Sequence, residues 1–163
     1  MFCTSLVVKV ASRCNLNCTY CYVYNKGDDS YLKQPKIMDS ITVKKLLNNI
    51  LDHCKKNDLE KFLIVFHGGE PLLTGVEFYI NFVKDYENIF QNSNKTIDFV
   101  MQTNGVLLDE NNLNILKSLN FYIGISIGGT IESNHRNRSF HNGKGSYKEI
   151  LNGFKLTKKI YGN

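Results

Sequence analysis

The chain has 163 residues, 42% of them hydrophobic and 21% charged, with a formal net charge of +5. That is one domain's worth of polypeptide with enough apolar content for a sizeable core, which excludes a disordered chain. Lys and Arg are scattered among acids with no basic stripe interleaved with aromatics, and no apolar run approaches the ~20 residues that span a bilayer, so neither nucleic acid nor membrane is expected as a partner.

In chain order, Ser5 to Ala11 reads as a first strand that opens onto the stretch Ser12 to Tyr24, SRCNLNCTYCYVY. Asn25 to Pro35 carries Gly27, Asp28, Asp29 and Ser30 and predicts an exposed excursion. A first helix starts at a cap on Asp39 or Ser40 and places Val43, Leu46, Leu47, Ile50, Leu51 and Cys54 on one stripe. The run Phe62 to Phe66 predicts a strand buried on both faces, ending in His67-Gly68-Gly69-Glu70-Pro71. A second helix puts Tyr79, Phe82, Val83, Tyr86 and Phe90 inward. The third strand, Ile97 to Met101, ends in Gln102-Thr103-Asn104-Gly105. Asp109 is placed to cap a third helix with Leu113, Leu116 and Leu119, and a fourth strand runs from Phe121 to Ile127 and ends at Gly128-Gly129. After a polar loop, Ser146 and Glu149 stand at capping-box spacing and begin a fourth helix with Ile150, Leu151, Phe154 and Ile160 on one side. Strand–helix alternation of this kind predicts an α/β fold with a parallel sheet: a partial (β/α) barrel of about four strand–helix units. Every unusual polar or glycine motif falls at the carboxyl end of a strand, the edge where such sheets bind ligands.

The first motif carries the most chemistry. Cys14, Cys18 and Cys21 stand at C-x3-C-x2-C spacing on one short loop. Three thiolates do not close the four-ligand shell of structural zinc or of most electron-transfer iron–sulfur centres, and a cluster held by three protein sulfurs keeps one iron open for another ligand. A small zinc domain would require a fourth ligand, and the nearest histidine, His53, is far along the chain. An odd count of five cysteines and no readable secretory leader argue against a disulfide framework and for a reducing, cytoplasmic setting. Cys3 and Cys54, in apolar surroundings, are expected to be buried small hydrophobes. At the second strand's end, Gly68 and Gly69 permit close backbone approach to a ligand, and Glu70 adds a carboxylate suited to an ammonium group.

Cys14, Cys18, Tyr20 and Cys21 match the C-x3-C-x-aromatic-C signature position for position, and in this the chain resembles the radical S-adenosylmethionine (radical SAM) enzymes. Gly68-Gly69-Glu70-Pro71 is similar to that family's GGEP motif, which grips the methionine amino group of S-adenosylmethionine, and Gln102, Thr103 and Asn104 resemble its cofactor-facing T-N-G segment. Ser126-Ile127-Gly128-Gly129, followed by Asn134 to Arg138 and Gly143 to Ser146, looks like the S-x-D-G…H-x-x-R…G-x-G-S/T pattern of the peptide- and protein-modifying branch, such as the anaerobic sulfatase maturases. On this resemblance Ser126 would bond the ribose, Arg138 would meet the cofactor carboxylate, and Tyr20 would lie near the adenine. Gly128 departs from the pattern: the relatives carry aspartate there, and glycine offers no side chain for the ribose-side network. His135 and His141 read as part of a solvated loop.

The resemblance implies a 4Fe–4S cluster on Cys14, Cys18 and Cys21, reductive cleavage of S-adenosylmethionine to a 5′-deoxyadenosyl radical, a peptide or protein substrate, and an electron donor such as flavodoxin or ferredoxin. A truncated cluster- or cofactor-binding remnant without turnover, and the zinc domain, are the alternatives. The family's catalytic domain has six strand–helix units, so residues 1–163 are expected to be its N-terminal portion, from a longer maturase or a truncated reading frame. The edge of the fourth strand would then be unpaired and prone to association.

Overall fold

The computed structural model describes residues 2–162. Four parallel strands, β1 (Ser5–Ala11), β2 (Lys61–Gly68), β3 (Thr96–Thr103) and β4 (Phe121–Ile125), form one sheet in the order β1-β2-β3-β4. Sequence order equals spatial order, as successive crossovers of one hand produce. The connections carry α1 (Ser40–Lys56), α2 (Val76–Phe90) and α3 (Glu110–Ser118), and after β4 come α4 (Ile131–Asn137) and α5 (Tyr147–Tyr161).

One face of the sheet is closed by helices. Phe62, Ile64 and Phe66 of β2, with Ile97, Phe99 and Met101 of β3, are buried against Leu47, Ile50 and Cys54 of α1 and Tyr79 and Phe82 of α2. Phe66 sits at the centre of an aromatic cluster, with ring centroids 4.9 Å from Phe82 and 5.3 Å from both Tyr79 and Phe121. Edge-on and tilted contacts of this kind add to the area they bury. The other face is open. Leu63, Val65 and Val100 are half-buried, and Val7 and Tyr122 are exposed. β2 is therefore buried on one face only, which corrects the expectation drawn from its unbroken apolar run: no element among the described residues lies over the second face.

The helix caps follow local chemistry. The Asp39 carboxylate accepts the Thr42 N–H at 2.7 Å, and Asp109 accepts that of Asn112 at the same distance. The capping box at Ser146 does not form. Its hydroxyl donates to the Arg138 carbonyl at 2.8 Å and accepts from the Asn134 amide, while Glu149 pairs with Lys144 at 3.0 Å. β4 stops two residues earlier than the apolar run suggested, at Ile125. The stretch read as a polar loop contains α4, started by the Thr130 hydroxyl accepting from the Ser133 N–H. Its one fully buried residue is Asn134, so no apolar period marks it. Two further expectations are corrected. Cys3 is exposed, preceding β1 and held to α1 through its carbonyl, which bonds the His53 ring at 2.7 Å, and Phe154 of α5 is 47% exposed because the buried stripe of that helix runs through Ile150 and Gly153.

Candidate cofactor and metal site

The loop from Ser12 to Tyr24 lies across the carboxyl edge of the sheet; residues 31–36 hold its start through Ser12 and Arg13, and three further sets of hydrogen bonds hold the rest. From β2, Gly69 N–H donates to the Ala11 carbonyl and Glu70 N–H to the Arg13 carbonyl, both at 2.9 Å. A Cβ on Gly68 would sit 2.4 Å from the Ala11 oxygen, and one on Gly69 would sit 2.1 Å from both the Arg13 oxygen and the Tyr24 hydroxyl. The two glycines therefore permit strand to approach loop. With these N–H groups taken, the Gly69 rim is left to offer carbonyl oxygens, which accept from an ammonium and repel an anion. From β3, the Asn104 amide donates to the Asn15 side chain at 2.7 Å and approaches the Cys14 sulfur at 3.8 Å. From the segment after α4, the Ser139 and Asn137 carbonyls accept from Asn17 and Thr19, Leu16 bridges to Phe140, and the His141 ring bonds the Cys14 carbonyl at 2.9 Å. His141 is thus a strap on the cysteine loop, in contrast to the solvated loop its sequence suggested.

Behind this edge sits Glu70, 0% exposed. One carboxylate oxygen accepts the Leu72 N–H at 3.0 Å and the Thr103 hydroxyl at 2.6 Å, and the other accepts the Asn104 N–H at 2.8 Å. Burial pushes its pKa up, and the three donors act against that shift. Sequence reasoning placed this carboxylate on the ligand, whereas in the structure it ties the end of β2 to the end of β3 behind the cavity wall.

A cavity of about 220 Å³ opens at the edge. Cys14, Cys18, Cys21, Tyr20, Gly68, Gly69, Gln102, Thr103, Asn104, Ser126 and Arg138 all line it. Of the residues singled out from the sequence, Glu70 alone is missing from that wall. The Gln102 amide donates to the Ser126 hydroxyl at 2.8 Å, its side chain lying over Gly124, where a Cβ would meet it at 2.5 Å. Arg138 is 8% exposed and donates through one terminal nitrogen to the Tyr20 hydroxyl. Its Nε is buried with no hydrogen-bond partner, and among the described residues it forms no salt bridge. A buried guanidinium with an unused donor is suited to an anion.

The donor set suits a multi-iron cluster better than a single ion. Among the described residues no group of three His, Cys, Asp or Glu side chains is placed to hold a single metal ion. A cuboidal cluster assigns each thiolate its own iron, and Cys14, Cys18 and Cys21 all line this one cavity. Burial pushes the Cys14 thiol up to about 11, with the Leu16 N–H at 3.4 Å acting in the opposite sense. Cys18 is also raised by burial, against the Arg138 cation. Metal uptake must therefore displace protons from these sulfurs.

Sequence reasoning passed over Asn15, Tyr24 and Asn134. Asn134 is fully buried, its side-chain oxygen accepts the Gly128 N–H at 3.1 Å, and its Cα lies 2.9 Å from where a Gly128 Cβ would stand. Gly128 thus lets Asn134 of α4 close onto the segment that follows β4. A polar residue six positions from a glycine leaves no mark in an apolar pattern, so only the fold reveals the pair.

An open parallel α/β sheet with a three-cysteine loop and a cation-bearing cavity at its carboxyl edge defines a class of cofactor-dependent enzyme folds, and the comparisons name it. The family model described as the radical SAM superfamily matches residues 8–163, and the chain belongs to that family. Its members use a 4Fe–4S cluster and S-adenosylmethionine for radical chemistry. The chain is 33% identical over 156 residues to a cysteine-type anaerobic sulfatase-maturating enzyme of Clostridium novyi, covering 93% of this chain and 40% of the relative. It is 37% identical over 155 residues to a protein of Methanocaldococcus jannaschii, covering 94% and 48%. The solved structure described as native anSMEcpe with bound AdoMet superposes with a TM-score of 0.82 at 29% identity, covering 96% of this chain and 42% of that one. The chain thus spans less than half the length of these relatives.

Proposed function

We propose that residues 1–163 form the N-terminal portion of a radical SAM core that holds a 4Fe–4S cluster on Cys14, Cys18 and Cys21 and binds S-adenosylmethionine beside it, in the service of peptide or protein modification. The observation that carries this reading is the shared cavity: three cysteines from one loop, a glycine rim stripped of its donors and an anion-seeking arginine face one space. The relatives named as sulfatase-maturating enzymes, and the TM-score of 0.79 to a solved structure described as holding both AdoMet and a peptide, support a peptide or protein as substrate. Cys14, Cys18 and Cys21 would hold the cluster, which would supply the one-electron reduction by which the family cleaves S-adenosylmethionine.

The chain's own residues do the placing. Carbonyl oxygens at Gly68 and Gly69 meet the ammonium, and Arg138 meets the carboxylate with its free Nε. Tyr20, bonded to Arg138, carries that grip to the cysteine loop. Gln102 and Ser126 face the ribose as a bonded pair, Thr103 and Asn104 complete the wall, and Asn104 also holds Cys14. Glu70 acts from behind as a positioning residue. An electron donor such as a flavodoxin or ferredoxin must dock near the cysteine loop. Five free cysteines suit a cytoplasmic, reducing setting, and no helix of the described residues is long and apolar enough to cross a membrane.

Anaerobic reconstitution with iron and sulfide tests the reading. It predicts broad visible absorbance that changes on adding S-adenosylmethionine, with 5′-deoxyadenosine released on reduction. Cluster assembly without cleavage would mark a binding remnant, the reading that Gly128 favours. Stoichiometric zinc and indifference to the cofactor would refute both.

A further inference from the structure

Tyr24 stands at the junction of two cavities. It lines the cysteine cavity and also a second one of about 410 Å³, beside the end of β1 where Ile37 bridges to Ala11, whose walls include Tyr22, Tyr31 and Met38. The ring is fixed: Tyr31 packs edge-on against it at 4.6 Å, and the hydroxyl fills the space left by the missing side chain of Gly69. That hydroxyl is buried and has no hydrogen-bond partner. Buried phenols nearly always find one. No hydrogen bond links it to the adjacent Arg13 carbonyl, which accepts the Glu70 N–H. The phenol lines the same cavity as Cys14 and Cys21, and burial foremost pushes its pKa up, so the group stays an O–H donor across the neutral range.

We propose that the Tyr24 hydroxyl donates its hydrogen bond to the sulfur shell built on Cys14 and Cys21 in the metal-loaded protein, and thereby raises the reduction potential of the cluster. The proposal rests on the cluster reading above. A donor aimed at cluster sulfur stabilises the reduced, more negative form, and hydrogen bonds to the sulfurs are among the recognised determinants of such potentials. Tyr24 is then a positioning residue that acts through the cluster and touches no substrate.

The test compares wild type with Tyr24→Phe, which keeps the ring and removes only the hydroxyl. In the metal-free state, thermal unfolding should occur close to the wild-type temperature, because the deleted group has no protein hydrogen bond to lose and only its packing at Gly69 is removed. A midpoint lower by more than about 4 °C, beyond the loss of that packing, would show that the phenol has a partner in the metal-free protein, and would overturn the proposal. After reconstitution, wild-type absorbance confirms the cluster, independently of Tyr24. In a redox titration followed by electron paramagnetic resonance, the variant should show at least a tenfold lower reduced-to-oxidised ratio at a fixed potential, equal to a 59 mV drop for one electron. Tyr22→Phe, an exposed ring on the same loop, should match wild type. An unchanged potential in Tyr24→Phe overturns the inference, as does a folded variant that takes up no iron, which would make Tyr24 a structural prop. Failure of the wild type itself to assemble a cluster would refute the underlying reading instead.

Discussion

Replacing Glu70 with glutamine separates a scaffold role from a ligand role, because the two predict opposite results in the metal-free protein. The carboxylate serves three donors, the N–H groups of Leu72 and Asn104 and the Thr103 hydroxyl. A glutamine oxygen can keep the Leu72 and Thr103 contacts, but its amide nitrogen then faces the Asn104 N–H, donor against donor. Leaving one buried N–H unsatisfied costs about 1–3 kcal/mol, and relief from burying a charge offsets part of the lost charge-assisted bonds, for a net loss of about 2 kcal/mol. At about 2–4 °C per kcal/mol for a chain of this size, the unfolding midpoint should fall by roughly 4–8 °C. Circular dichroism melts without metal or cofactor suffice to measure it. Because Asn104 also holds Asn15 and approaches Cys14, the variant should take up iron less completely under reconstitution. A midpoint within one degree of wild type (a shift well below the roughly 4 °C lower bound) would refute the reasoning and return Glu70 to the ligand.

Other outcomes follow from the same geometry. In metal-free protein, iodoacetamide should label exposed Cys3 first and buried Cys54 last. Cys14, pushed up to about 11, should react slowly near neutrality and speed up about tenfold per pH unit until it titrates, as peptide mass spectrometry after timed quenching would show. Gly128→Asp should destabilise the chain by about 1–3 kcal/mol in urea titrations, since its Cβ would meet the Asn134 backbone at 2.9 Å, so restoring the relatives' aspartate alone does not improve the site. Arg138→Gln should leave cluster absorbance intact yet weaken the S-adenosylmethionine titration roughly 10- to 100-fold, the loss expected for one charge-assisted contact. An unaltered titration would mean that the free Nε has another purpose.

The strands and the main helices were legible because their signals are strong and local. β1 begins and ends where its apolar run does, and Asp39 and Asp109 cap the helices they precede. The convergence of Cys14, Gly68, Gln102 and Ser126 was legible for a topological reason: residues that terminate neighbouring parallel strands share an edge whatever their spacing along the chain. Contacts made by buried polar side chains were not legible. Asn134 writes no apolar period, so α4 read as loop, and Ser146 was read as a cap when its hydroxyl was committed to Arg138. Phe154 shows the converse error: a helical stripe can be drawn through it, yet the face that packs runs through Gly153, where a Cβ would lie 2.2 Å from the Gly105 carbonyl.

Glu70 draws these threads together. A motif records which residue types a site requires, and it does not distinguish those that face the ligand from those that hold the facing residues in place. In Gly68-Gly69-Glu70 the glycines are needed because the strand end must touch the Ala11 and Arg13 carbonyls, and the glutamate is needed because β2 and β3 must be locked at their ends. The rim is left with carbonyl acceptors because the loop has consumed its donors. Removal of any one of these backbone contacts would therefore alter the ligand surface without altering a side chain that touches it. The same logic covers Asn104, which reaches Asn15 and Cys14 from the position Glu70 fixes. The placement of the cysteine loop thus leans on a buried carboxylate, through the bonds that Glu70 accepts from Leu72, Thr103 and Asn104.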